Sequence, residues 1–289
     1  MQTLRLRKAL LNQDVYHDGC PDNNVLLNNK ATMISSTRFR RTLLFFAILG
    51  GLIMFIRLFP TSHDPLYQGK PISDWLLSED DTQPERILRQ VGTNAVPCLL
   101  RMLRVKDSAV KTNLMALLHQ QHFIHVNFIP AGERNYRAAL GFGILGPSAY
   151  AAVSNLADIY DQRISVESQC LTADSLGAIG PAATNAILAL LKGLNSNDAP
   201  VRWNTIWALG QIHGEPDVVV PALTQTLHDP EWKVRRNAAQ ALAAFGLDAR
   251  NVIPTINELL QDTNTNVILA ASTAMQTIDS AVAAKASPK

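Results

Sequence analysis

The chain has 289 residues, 47% of them hydrophobic but only 6% aromatic, with 17% charged. A core so poor in rings must be built from Ala, Leu, Ile and Val, which suits helix packed on helix and argues against a β-sandwich. The formal net charge is +2, but residues 1–41 carry seven basic against three acidic side chains and the remainder 19 against 21. That mildly acidic body lacks the clustered basic face that nucleic-acid binding needs.

Residues 1–41 show no hydrophobic periodicity, and they are expected to form a disordered basic flank. From Leu43 to Ile56 the sequence is apolar on all sides, with Arg38, Arg40 and Arg41 just before it, and Arg57-Leu58-Phe59 extends it to a candidate span Thr42–Phe59. A membrane-spanning helix needs about 20 apolar residues. The run approaches that length if Arg57 extends its guanidinium to the interface. The basic cluster puts the N-terminus in the cytoplasm and everything after Pro60 outside, as a single-pass signal anchor. A cleaved signal peptide would call for a small-x-small site, which is missing after Arg57-Leu58-Phe59-Pro60. A lipoprotein would call for a Cys after the run, and a buried helix for an amphipathic stripe. Met33, just upstream of the basic cluster, is a second candidate start of translation. Cys20, Cys98 and Cys170 are widely spaced and form no ligand pattern. Cys98 and Cys170 read as small core residues.

Residues 60–85 are expected to be a linker with a short capping element. In it Ser73 caps a short helix whose Trp75 and Leu76 cover the first repeat. An array of helix pairs is expected over 86–279. Its first half is irregular: Asn94–Leu103 reads as a first helix, and Asp107–Lys111 as the turn into a second. Phe123–Ala131 reads as an insertion, and Arg134–Leu145 as an odd helix. Gly146-Pro147-Ser148-Ala149 precedes Gly180-Pro181-Ala182-Ala183 by a step of 34. From there a step of 33 aligns Ile187, Val220 and Ile253, then Leu190, Leu223 and Ile256, then Val201, Val234 and Val267. It also aligns Ala208, Ala241 and Ala274.

Within each unit the apolar residues recur at helical spacing, and breakers such as His228-Asp229-Pro230 separate the two helices. Each unit is too small to bury its own apolar face, and stacking buries it. The array is expected to end near Asp279, with 280–289 a flexible tail. The turn Asp198-Ala199-Pro200-Val201-Arg202, the looser Asp229…Val234-Arg235, and the run Ala238–Gly246 resemble the HEAT-repeat family. They are also similar to the HEAT-like units of phycobilin lyases. The stretch Gly69–Leu76 resembles an opening segment of membrane-anchored bacterial HEAT-repeat proteins of unknown role. The resemblance covers about Arg86–Asp279. It implies an all-α superhelix, a HEAT or armadillo-type solenoid of about five helix pairs, here preceded by one transmembrane helix.

Little in the sequence points to catalysis. His119, His122 and His125 fall on one broad helical face, a spacing that suits a metal, but no carboxylate accompanies them. Histidines at a helix C-terminus, favoured by the dipole, are the plainer reading. HEAT-like folds include a diiron hydroxylase with His-Glu ligands, and no such dipeptide occurs here. Neither GxSxG, P-loop nor HExxH is present. Arg202 and Arg235 read as structural turn arginines that donate to Asp198, Asp229 or Asp262. Core positions Val234, Ala238, Ala241, Leu242 and Phe245 turn Arg236 and Gln240 outward. One unit earlier the equivalents are Trp203 and Trp207, at i and i+4. The resemblance implies that second helices line the concave side, so Trp203, Trp207, Arg236 and Gln240 form the candidate binding face. The expected function is a membrane-tethered, non-catalytic scaffold for protein partners, with no cofactor, metal, nucleic acid or small-molecule substrate. The alternative is a HEAT-like enzyme, either metal-dependent or related to bilin lyases.

Overall fold

The computed structural model describes residues 64–286 except Glu79, Asp81 and 121–127, together with Phe46, Gly50 and Gly51. The chain forms two compact units, Met1–Thr61 and Ser62–Lys289. Of the expected anchor 42–59, the described residues Phe46, Gly50 and Gly51 are helical. The rest of it, with the basic flank and Met33, lies outside the described residues.

The second unit opens with a hairpin of β1 (Leu66–Tyr67) and β2 (Lys70–Pro71), antiparallel, with Leu66 opposite Pro71 and Tyr67 opposite Lys70. Gln68 and Gly69 turn it with φ of 51° and 76°, the left-handed pair that a two-residue hairpin requires. The short helix α1 (Ile72–Leu76) follows directly. The expectation that Ser73 caps it is wrong: the cap position is Pro71, no side chain caps the helix, and Ser73 sits inside it. The helix is tied down instead by the Trp75 indole N–H, which donates to the Tyr67 carbonyl at 3.0 Å. Ile72 and Leu76 are buried beneath it.

Helix α2 (Thr82–Val91) is followed by α3 (Val96–Leu103) and α4 (Ala109–Gln120). Then come α5 (Ala131–Leu145), α6 (Val153–Gln162), α7 (Val166–Ile179), α8 (Ile187–Gly193) and α9 (Ala199–Ile212). The series ends with α10 (Pro216–Gln225), α11 (Trp232–Ala244), α12 (Ile253–Glu258) and α13 (Thr265–Ala286). Five pairs result: α3/α5, α6/α7, α8/α9, α10/α11 and α12/α13. The second helices form one layer, in which α5, α7, α9, α11 and α13 each pack on the next, with α2 against α5 at the N-terminal end. Small residues permit that close approach. A Cβ on Gly210 would lie 3.1 Å from the Ala241 Cα, and one on Gly177 3.0 Å from the Ala208 Cα. One continuous core runs through the array from Ile72 to Ile278.

Every unit boundary opens with a left-handed residue, Gly92, Gly146, Gly180, His213 and Gly246, with φ between 50° and 70°, and at the fourth Glu215 adds a second with φ of 47°. Four are glycine, as that conformation favours. At His213 the ring packs edge-on against Phe245, with centroids 4.7 Å apart.

The irregular first half is resolved differently from expectation. The helix that pairs with α3 is α5, so the "odd" Arg134–Leu145 segment is a regular second helix, and α4 belongs to the inserted piece. A hydrogen bond shows why. Asp229 and Asp262 each accept from the backbone N–H two residues on, Glu231 and Asn264. Asp107 accepts instead from the N–H of Ala131, 24 residues on, at 2.6 Å. The turn is thus conserved in geometry, with residues 109–130 spliced into it. Among the described side chains of α4 only Met115 is buried, and it stands outside the continuous core.

At the other end α13 continues through Ala286, seven residues past the expected end at Asp279. Val282 still packs on the core and Ala281 approaches Gly246, so the helix and its packing continue past Asp279. Two described stretches, Val166–Gly193 and Thr265–Lys285, are long and apolar enough to cross a membrane by length and composition. The first bends at Gly180, where φ is 70°, and joins the second helix α7 to the first helix α8; the second lies within α13, and both pack in the array.

Candidate interaction groove

The turns fix the spacing of the second helices. The Arg202 guanidinium donates to both Asp229 carboxylate oxygens, at 2.7 and 2.8 Å, and to the Ser196 carbonyl at 2.8 Å. Arg235 repeats this one unit on, to Asp262 at 2.7 and 2.9 Å and to the Asp229 carbonyl at 2.8 Å. Each arginine therefore clamps its own turn to the next, in the bidentate geometry that makes such pairs strong. The Arg235 pair holds the Asp262 carboxyl below the usual carboxylate range, and Asp229 likewise raises Arg202. Asp198 makes no ion pair with either arginine.

Along the second helices, Trp203, Trp207, Arg236 and Gln240 all line one open groove of about 900 Å³. Their exposures differ. Trp203 is half-buried, packs on the core, and carries the Lys233 ammonium 4.7 Å from its ring centroid. Trp207 is 40% exposed, and its ring leans on α7 where Gly177 leaves room; a Cβ there would lie 2.5 Å from the ring. Arg236 lies 5.6 Å from the Trp232 ring and donates to the Asn237 side-chain oxygen at 3.1 Å. Gln240 is exposed.

The groove extends further toward the N-terminus than the sequence indicated. Tyr136 and Leu140 of α5 line it, 49% and 44% exposed. They were missed because α5 read as an odd helix, outside the register. Asp174 of α7 lines it too, and occupies the repeat position of Trp207 one unit earlier. Stepping back 33 residues from Trp207 would have found it. Burial raises the Asp174 carboxyl to about 6.

No group of three metal-ligating side chains occurs among the described residues. His122 and His125 lie outside them, as does the side chain of His119. Cys98 and Cys170 are free and buried, and burial pushes their thiols up to about 12 and about 11. Neither supplies a reactive thiolate at neutral pH.

Comparison with known proteins identifies the repeat. The family described as HEAT repeats matches residues 220–286, and the HEAT-like repeat matches residues 175–212. These two stretches are similar to HEAT repeats. No curated protein matches the chain. Among solved structures, a designed armadillo repeat protein in complex with a (KR)4 peptide is 16% identical over 72% of this chain and 98% of its own, with a TM-score of 0.43. Human deoxyhypusine hydroxylase in complex with glycerol is 16% identical over 68% and 99%, with a TM-score of 0.30. The complex of CpcE and CpcF of phycocyanin lyase from Nostoc is 20% identical over 76% and 98%, with a TM-score of 0.27. The matched stretches fall between α7 and α13, and the groove crosses α7, α9 and α11 of that span.

Proposed function

We propose that the protein is a non-catalytic scaffold that captures protein partners in the HEAT groove, tethered to a membrane by residues 42–59. The observation that carries the reading is the groove itself. Rings from the two units on either side of α7, Tyr136 on α5 and Trp203 and Trp207 on α9, line it beside Arg236 and Gln240. Large side chains that pack in place and keep one exposed face are the residue types on which protein interfaces concentrate their binding energy. The Arg202–Asp229 and Arg235–Asp262 clamps serve this role by fixing the separation of α9, α11 and α13.

The tether rests on the uncharged run Leu43–Ile56 after Arg38, Arg40 and Arg41, and that basic cluster implies that residues 60–289 lie outside the cytoplasm. Residues 1–41 are the cytoplasmic flank, 60–85 link the anchor to the array and cap it, and 86–279 hold the repeats. Two measurements test the two halves of the proposal. Alkaline carbonate should leave the full chain in the membrane pellet, and protease added from outside should reach the repeats; extraction into the supernatant refutes the anchor. Trp203→Ala with Trp207→Ala should abolish partner crosslinks while leaving the melting curve in place, and undiminished crosslinking refutes the groove.

A further inference from the structure

Asp174 stands out among the groove residues. Across the second helices its repeat position is filled by Leu140, Asp174, Trp207, Gln240 and Thr273, so it is the one carboxylate in that row. Among the described residues no hydrogen bond or ion pair reaches it, although neighbouring charges are satisfied. Glu85 pairs with Arg89 on α2 at 2.8 Å, and Glu133 with Arg137 on α5 at 2.7 Å. Arg236 on α11 is engaged with Asn237 and the Trp232 ring. Helix α9 faces Asp174 with Trp203, Asn204 and Trp207 and no charge. On α7 itself, Glu167 lies two helical turns away.

The Trp207 ring rests on Gly177, which is three residues from Asp174 and so on the same face of α7. An aromatic face thus borders the carboxylate one turn away, and Tyr136 and Leu140 flank it from α5. An unpaired carboxylate beside an exposed indole in a partly desolvated groove is complementary to an organic cation. The groove runs from α2 to α11, a span that suits an extended chain better than a single small ion.

We infer that the partner enters as an extended polypeptide segment and places a lysine or arginine side chain on Asp174, against the Trp207 ring. The inference rests on the proposed reading of the groove as a protein-binding surface. Burial already lifts the Asp174 carboxyl to about 6, so it is ionised at pH 7.5 and largely protonated at pH 5. Capture of a cation therefore weakens as the pH falls through that value.

The test uses the full-length protein in detergent micelles, applied to an array of ten-residue peptides of varied composition. Retained peptides should be enriched in lysine and arginine. For a retained peptide, Asp174→Asn should weaken binding about ten-fold, the loss expected when a charge-assisted contact is removed. A shift from pH 7.5 to 5 should act the same way on the wild type and leave Asp174→Asn unmoved. Thermal melts check that the variant is folded. Retention of aromatic or aliphatic peptides without basic residues, lost in Trp203→Ala/Trp207→Ala but not in Asp174→Asn, would overturn the cation and leave the groove standing. Retention no higher than in the tryptophan variant would contradict both.

Discussion

Arg235 holds two turns at once, and its repeat equivalents show how that role is distributed. One unit earlier the same position is Arg202, then Gln169, then Asn135. All four donate to a backbone carbonyl nearby, Gln169 to Tyr160 at 3.3 Å and Asn135 to Met102 at 2.6 Å. Arginine occurs where the next turn supplies an aspartate. One unit later the position is Ile268, with no further turn to hold. Arg235→Ala should cost about 2 kcal/mol at pH 7, in the range for a hydrogen-bonded charge pair. Because Asp262 is held below its ordinary value, that stability is present above about pH 4 and is lost as pH falls through the folded value. The gap between wild type and variant in urea titrations should therefore narrow toward pH 3. Asp174 has the opposite sign. Its raised value means that stability falls as pH climbs from about 4 through 6, so Asp174→Asn should melt higher than wild type at pH 7.5 and level with it below pH 4. His213 offers a third check. In its left-handed conformation, His213→Gly should be more stable than His213→Ala by about 1 kcal/mol, since both lose the Phe245 contact and only glycine is unstrained.

At the scale of the element, what could be read from the sequence depended on local repetition. The step of 33 residues located the pairs from α8 to α13, because apolar columns and turn breakers recur there without interruption. It failed at α4, because Asp107–Lys111 has the local signature of a turn and a helix start, and only the bond from Ala131 to Asp107 shows where the unit resumes. No local pattern encodes a contact across 24 residues. The consequence is testable. Deleting residues 109–130 and joining Ser108 to Ala131 should leave the array folded, with helical circular dichroism reduced by little more than α4. Global unfolding would show that the insertion is part of the core. A second element-level detail was also illegible. The Tyr160 hydroxyl of α6 hydrogen-bonds Thr205 of α9 above Gly193, where a Cβ would meet that hydroxyl. Gly193→Ala should destabilise by about 1–3 kcal/mol, the usual cost of overpacking a filled site.

For the molecule as a whole, the ends of the array carry their own covers. The hairpin and α1 close the N-terminal side, and α13 turns the partly or fully exposed polar residues Ser272, Gln276 and Asp279 away from the core. Stacked repeats need such ends to stay soluble. Between them the second helices line a groove, four of whose residues, Trp203, Trp207, Arg236 and Gln240, were readable in the sequence once the period was known. Tyr136 and Leu140 were unreadable until α5 was placed. The proposed partner site is that groove. Photocrosslinkers placed one at a time at Gln240 in the groove and at Leu188, 69% exposed on the first helix α8, would test it in intact cells. Adducts with a partner from Gln240 alone, lost in Trp203→Ala/Trp207→Ala, are the predicted result. Adducts from Leu188, or from Gln240 undiminished by the tryptophan changes, would contradict it.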